Sequence, residues 1–221
     1  MRHGIFVTGT DTNVGKTGVA AALMLRYRGH LPLRYWKPIQ TGIEQDDDTA
    51  EVMRLARVSI EAVLEDGVRL PRPVSPHLAA RLSGRTIEIQ PLVESIASAP
   101  ESTRWIVEGA GGALAPINES AFVADLMMQL GFPVVVVSRS GLGTINHTLL
   151  TLEALRCRSL IVAGVVMVGD RDVENRQAIE RYGKVDVLGE MPWFDSLTPD
   201  ALSAWAASEL DPASRLLGRL R

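Results

Sequence analysis

The sequence predicts an α/β protein in which helices cover both faces of a doubly wound, mostly parallel sheet, in three layers. Two observations carry this. Short runs rich in Val and Ile alternate along the chain with stretches of helical periodicity, the order from which layered α/β folds are built. Several of those runs are apolar at consecutive positions instead of alternating, as strands buried on both faces require.

In chain order, strands are expected at 4–9 (GIFVTG), 33–38 (LRYWKP), 104–109 (RWIVEG), 133–138 (PVVVVS), 160–169 (LIVAGVVMVG) and 185–192 (VDVLGEMP). Helices are expected between them, at 16–28, 48–57, 75–83, 90–98, 121–130, 144–157 and 172–183. The stretch from Leu64 to Pro100 shows no clear strand and holds several prolines, so it reads as a helical excursion from the sheet. The whole chain, 1–221, is expected to form a single domain with a core that needs no covalent staples. The tail ASRLLGRLR reads as a frayed or docking helix end.

Composition excludes several function classes. The formal net charge of −3 comes with no basic stripe of the kind a nucleic-acid surface needs. No apolar run approaches the roughly 18 residues of a bilayer span. The first apolar run leads into a Gly-Lys-Thr loop, not a small-residue cleavage site. A cytoplasmic setting without membrane or nucleic-acid partners is therefore expected. The single cysteine, Cys157, allows neither an intramolecular disulfide nor a cysteine metal cluster. Within TLLTLEALRCR it reads as a buried structural thiol.

The chemistry begins at the first strand-to-helix junction, TGTDTNVGKT, residues 8–17. A strand before and a helix after are the context of a phosphate-binding loop, and the expected fold becomes P-loop NTPase-like. Successive backbone N–H groups in such a loop, here from Asn13 and Val14 to Gly18, hold phosphate oxygens. Gly15 keeps side chains clear, Lys16 reaches the terminal phosphates, and the Thr17 hydroxyl can ligate Mg²⁺. The plainer reading is a Gly-Lys-Thr turn that only starts a helix. Five residues, 10–14, separate Gly9 from Gly15, one more than the common spacing, so the loop is longer and more open. Asp11 would repel a triphosphate in a dry site. It is expected to point away and brace the loop by accepting backbone N–H bonds.

Six segments, FVTGTDTNVGKT, YWKPIQTG, SPHLAA, VEGAGG, GLGTINHTLLTLEAL and LGEMPW, resemble in order and spacing the dethiobiotin synthetases of the biotin pathway. The match runs from the first strand to Phe194. The loop alone is shared with many relatives, whereas the combination is specific. The resemblance implies an ATP-dependent cyclo-ligase, a dethiobiotin synthase. Such enzymes carbamoylate 7,8-diaminononanoate with CO₂, phosphorylate the carbamate from the γ-phosphate of ATP, and close a cyclic urea with release of ADP and phosphate. Members are homodimers that use Mg²⁺.

The residues suit that chemistry. A site that neutralises a triphosphate and a carbamate together needs more than one lysine and a metal. Lys16 serves the phosphates, and Lys37 resembles the family's catalytic lysine between carbamate and γ-phosphate. Alone, Lys37 reads as a solvent-exposed strand-end lysine. Its place at the carboxyl end of a parallel strand, where α/β sheets seat ligands, favours the catalytic role. Thr10, Thr12 and Thr41 are expected to contact substrate. Mg²⁺ prefers one or two carboxylates with phosphates and water. Thr17 and Glu108, which ends a predicted strand, are candidate ligands. Alignment to the family's pattern adds Asp48, which also reads as a helix N-cap with Glu51 as its capping-box partner. The segment Gly109, Ala110, Gly111 and Gly112 lets backbone approach both ligands closely. Gly143, Thr144, Ile145 and Asn146 resemble the helix N-terminus that receives the substrate's remote carboxylate across the dimer interface. Thr144 reads equally as an ordinary N-cap. His77 is expected to anchor the helical excursion, His147 carries no assigned role, and the tryptophans read as packing.

One departure from the family stands out. Val168-Gly169-Asp170 falls where many relatives carry Asn-Asp, whose Asn reads the adenine edge. Base contacts would then fall to backbone around Gly169 and Asp170 and to Pro192, Trp193 and Phe194. This implies a relaxed nucleobase preference that extends to CTP. Two rival readings remain: an ATP-dependent amide synthetase, for which no glutaminase domain is evident, and a partition or septum-positioning ATPase switch. The latter carries an extra lysine early in the loop, where this chain has Thr10 and Asp11.

Overall fold

The computed structural model describes residues 2–220. The described elements, in order, are β1 His3–Gly9, α1 Lys16–Tyr27, β2 Leu33–Trp36, β3 Ile39–Thr41, α2 Asp48–Ala56, β4 Val63–Leu64, β5 Val68–Leu70, α3 Pro76–Leu82 and α4 Ile89–Ala97. There follow β6 Arg104–Gly112, α5 Val123–Leu130, β7 Val134–Arg139, α6 Thr144–Arg156, β8 Val162–Val168, α7 Val173–Gly183, β9 Val187–Met191, α8 Pro199–Ser208 and α9 Arg215–Leu220. Seven strands form one sheet in the order β4-β2-β6-β1-β7-β8-β9, and every pairing in it is parallel. The mostly parallel, three-layer arrangement read from the sequence is the one observed.

Alternation along β1 divides the core. Phe6 joins Trp36, Trp105 and Val107 in one apolar layer, with α3, α4 and α5 residues above them. Ile5 and Val7 join Tyr35, Ile106 and the apolar faces of α1, α2, α8 and α9 in the other. β1 is buried along its length because both faces are covered, which is why its sequence does not alternate.

Three expectations need correction, and a fourth, for the tail, resolves between its two alternatives. The stretch after Leu64 does contain a strand: β5 pairs in parallel with β3 in a separate two-stranded sheet, and three-residue strands are too short to show a period. Helix α8 was unforeseen, although its cap is readable: Thr198 accepts the Ala201 N–H at 3.2 Å, and Pro199 fills the first helical position. Cys157 is exposed because the buried stripe of α6 is Thr144, Thr148, Leu152 and Leu155, and Cys157 lies off it. The tail docks: Leu216 and Leu220 are fully buried. Asp211, also buried, accepts the Arg215 and Leu216 N–H groups at 2.9 and 2.7 Å and the Tyr27 hydroxyl at 2.5 Å.

Candidate functional site

The order in which strands are added reverses beside β1, since β2 and β4 lie to one side of it and β7, β8 and β9 to the other. The crevice at the carboxyl ends of the strands near such a switch is where α/β folds bind ligands. A cavity of about 950 Å³ opens there. Its walls include Thr10, Thr12, Asn13, Gly15, Lys16, Thr17, Lys37, Thr41, Asp48, Glu108, Ala110 and Gly111. The sequence had assigned all of these to ligands.

The loop between β1 and α1 is held from three sides. Gly15, at φ 98°, is the left-handed N-cap of α1, a conformation suited to glycine. Val14 is buried in the apolar layer beneath. Asp11, which also lines the cavity, braces the loop as expected: its Oδ1 accepts the Thr12 N–H at 2.7 Å and its Oδ2 pairs with Arg139 at 3.1 Å. The Lys16 ammonium donates to the Asp11 carbonyl at 2.9 Å. Burial, then the nearby charge of Lys37, pushes Lys16 down to about 8.

Beside the loop lies a compact cluster of charge. Lys37 follows β2 and is only 3 % exposed, so it belongs to the packed interior and not to the periphery the sequence suggested. Its ammonium bridges Asp48 Oδ2 at 2.6 Å and Glu108 Oε1 at 2.7 Å, and donates to the Gly109 carbonyl at 3.2 Å. Burial alone would lower its proton affinity, but Glu108 and Asp48 outweigh it and hold the lysine above its ordinary value. Burial would raise Asp48, but Lys37 outweighs it and holds the carboxyl low. Thr17 Oγ1 lies 3.0 Å from both Asp48 Oδ1 and Glu108 Oε1. One hydroxyl carries one proton, so it donates to only one of them. Two carboxylates and a hydroxyl thus converge on one point beside the phosphate loop, a donor set of hard oxygens that fits Mg²⁺. Tyr35, fully buried in β2, donates to Glu108 Oε2 at 2.8 Å, a contact sequence reading missed.

Two capping expectations fail. The cap of α2 is Asp47, whose Oδ1 accepts the Ala50 N–H at 3.0 Å, while Glu51 pairs with Arg54. Asp48 is thereby free to face Lys37 and Thr17. The cap of α6 is Gly143 in a left-handed conformation. Thr144 instead turns its hydroxyl to the Arg139 carbonyl.

The remaining assigned residues sit around the cavity instead of on its main wall. Trp193 stands at the rim, 64 % exposed, and Phe194 packs against the apolar layer under the loop. Gly18 backs onto Met191 and Leu197, and Gly109 onto Phe6. Gly169 has φ +131°, and a Cβ there would come within 2.4 Å of Ser140 Oγ. Its N–H donates to the Met191 carbonyl at 2.9 Å, which ties the turn carrying Asp170 to the strand end leading to Pro192. Gly143, Thr144, Ile145 and Asn146 do not line the cavity; α6 reaches it through Leu150, Thr151 and Ala154. Gln40, Gln45, Pro73 and Val74 also line it and carry no sequence signal beyond their nearness to β3 and β5.

Residues 3–201 match a family model described as an AAA domain. The ATP-dependent dethiobiotin synthetase BioD of Paramagnetospirillum magneticum is 49% identical over 196 residues, covering 89% of this chain and 91% of that protein. The chain belongs to the dethiobiotin synthetase family. The BioD of Nitrobacter hamburgensis is 46% identical, covering 91% of this chain and 92% of that one. The bifunctional biotin biosynthesis protein BioCD of Bordetella avium is 45% identical over 92% of this chain but 42% of its own length. Among solved structures, a ParA family ATPase from Chlorobium tepidum superposes with a TM-score of 0.59 at 11% identity, covering 93% of this chain and 97% of that one. The MinC:MinD cell division complex of Aquifex aeolicus gives 0.60 at 17%, covering 98% and 96%. These two share the fold, and their identities are too low to speak to activity. No described helix is long and apolar enough to cross a membrane.

Proposed function

We propose that the chain, acting as one unit over 1–221, is an ATP-dependent dethiobiotin synthetase of biotin biosynthesis. In this reading it joins 7,8-diaminononanoate and CO₂ into a cyclic urea. The observation that carries the reading is the convergence of two buried lysines on one cavity, Lys16 at 7 % and Lys37 at 3 % exposed. One serves phosphate, and the other lies beyond it, against two carboxylates. Family membership supports the same conclusion, and it disfavours the partition-ATPase and amide-synthetase alternatives.

In the proposed reaction one substrate amine attacks CO₂ and loses a proton to give a carbamate. The carbamate oxygen takes the γ-phosphoryl group with ADP departing, and the second amine closes on the carbamate carbon with loss of phosphate. Lys16 holds the phosphate oxygens, and Lys37 places its charge between carbamate and γ-phosphate. Positioning and charge neutralisation supply most of such a barrier reduction. Thr10, Thr12 and Thr41 line the floor where the diamine would lie, and Gly111 leaves its backbone open to both ligands. Thr17, Asp48 and Glu108 would hold Mg²⁺, which when bound neutralises the triphosphate. Since Gly143–Asn146 lie outside this chain's cavity, they are assigned to a second copy's substrate carboxylate in a homodimer.

At the base end, Gly169 offers no side chain and Ser140 fills the space where one would go. Backbone groups and the Trp193 ring then recognise any base by shape, and CTP is accepted with ATP. The test is phosphate release measured against diaminononanoate and bicarbonate, with DNA, lipid and glutamine as controls. Dependence on the first pair is expected, and release driven by any control would overturn the reading. Competition among ATP, CTP and GTP tests the base; strict ATP exclusivity would refute that part alone.

A further inference from the structure

The charge cluster contains one member that the proposed reaction does not use. Tyr35 is fully buried and sits two residues before Lys37. Its backbone partner in β6 is Ile106, and Glu108 lies two residues further along on the same side of the sheet. The phenol reaches across and donates to Glu108 Oε2 at 2.8 Å. The other oxygen, Oε1, is the one that meets Lys37 at 2.7 Å and Thr17 at 3.0 Å.

We propose that Tyr35 is a positioning residue for the cation seat: by occupying Oε2 it fixes the carboxylate so that Oε1 alone faces Thr17 and Lys37. Glu108 and Tyr35 are both fully buried, so the phenol meets Oε2 on the side turned into the packed interior. The carboxylate has two equivalent oxygens and a broad terminal torsion. Without the phenol only the Lys37 and Thr17 contacts at Oε1 hold it, and either oxygen can take that place. With it, the seat is presented in one arrangement before any ligand arrives. Partners of ligating carboxylates have this effect on metal sites generally, and their loss weakens metal binding about 10–100-fold.

The inference rests on the reading of Thr17, Asp48 and Glu108 as the seat of a divalent cation, and the experiment separates the two. Mn²⁺ is titrated into the full chain saturated with a non-hydrolysable ATP analogue, and protein-bound ion is followed by water proton relaxation. Wild type, Tyr35→Phe and Glu108→Gln are compared, with thermal unfolding run in parallel. Both variants are expected to bind Mn²⁺ more weakly, Tyr35→Phe by about tenfold or more. Excess Mg²⁺ is expected to restore the turnover of Tyr35→Phe. If Tyr35→Phe binds within twofold of wild type while Glu108→Gln is weakened, Tyr35 only packs: the inference falls and the seat stands. If neither variant changes, the seat itself is misplaced and the inference falls with it. Should Tyr35→Phe fail to fold, 3-fluorotyrosine at position 35 keeps the hydroxyl and reports by ¹⁹F resonance. A shift on adding Mg²⁺ to the analogue complex supports the inference, and a stationary resonance overturns it.

Discussion

Replacing Lys37 with methionine keeps the length of the side chain and removes its charge. This ammonium contacts Asp48 Oδ2 at 2.6 Å and Glu108 Oε1 at 2.7 Å. Glu108 is 1 % exposed at its side chain and Asp48 29 %, so water compensates the first carboxylate hardly at all and the second only in part. Removing one partner from a buried ion pair costs about 3–5 kcal/mol, because the other charge stays buried and unpaired. For a chain of this size each kcal/mol moves the thermal midpoint by about 2–4 °C. Lys37→Met is therefore expected to melt about 6–20 °C below wild type in metal-free buffer, and to lose turnover. Magnesium should stabilise the variant more than wild type, since a divalent ion can take the charge position that the ammonium leaves. Thermal unfolding by circular dichroism, with and without Mg²⁺, reads both effects. A midpoint within about 2 °C of wild type in metal-free buffer would refute the buried-charge reasoning. A larger magnesium gain in wild type than in the variant would place the cation elsewhere.

Tyr27→Phe deprives the buried Asp211 of the phenol at 2.5 Å and is expected to cost about 1–3 kcal/mol in urea unfolding. Burial, then the hydrogen bond to Asp211, holds the Tyr27 hydroxyl well above its ordinary value. The native state thus keeps a proton that the unfolded chain releases. That contribution is intact below about pH 10 and declines as pH rises further, so the stability of wild type should fall more steeply than that of Tyr27→Phe there; parallel alkaline titrations would refute this. Gly169→Asn forces a side chain into a positive-φ position and against Ser140 Oγ, and is expected to cost about 1–3 kcal/mol. The double variant with Ser140→Gly should recover part of it. Arg139→Ala breaks a half-exposed pair with Asp11 and should change stability by about 0–1 kcal/mol in the same urea assay.

Much of this molecule was legible because its signals are local and repeated. β1, β6, β7 and β8 are Val- and Ile-rich runs buried on both faces, and seven helices fall near their periodic segments. The loop from Gly9 to Thr17 declared itself through its glycines and its Lys-Thr pair. What escaped was short or geometric. β3 and β5 are three residues each, below the length at which alternation shows. The exchange of Asp47 for Asp48 as the cap of α2 turns on which of three adjacent acids takes the extended conformation, which composition does not encode. Lys37 reads as a strand-end lysine until the carboxylates from α2 and β6, 11 and 71 residues away, close around it. Tyr35 was hidden for the same reason, because its partner is fixed by register between strands and not by spacing along the chain.

The position of β1 in the sheet also governs how the protein comes into being. It pairs with β6 and β7, which are synthesised about a hundred residues after it. Until Arg139 has left the ribosome the phosphate loop has a stem without walls, and Thr10 lacks the Val137 carbonyl that receives its N–H at 2.9 Å. Pairings so distant in sequence pay their loop-closure entropy before any contact repays it, which slows folding. A nascent chain accordingly cannot hold nucleotide. Competence arrives late, when the middle of the sheet closes around a strand made long before its neighbours.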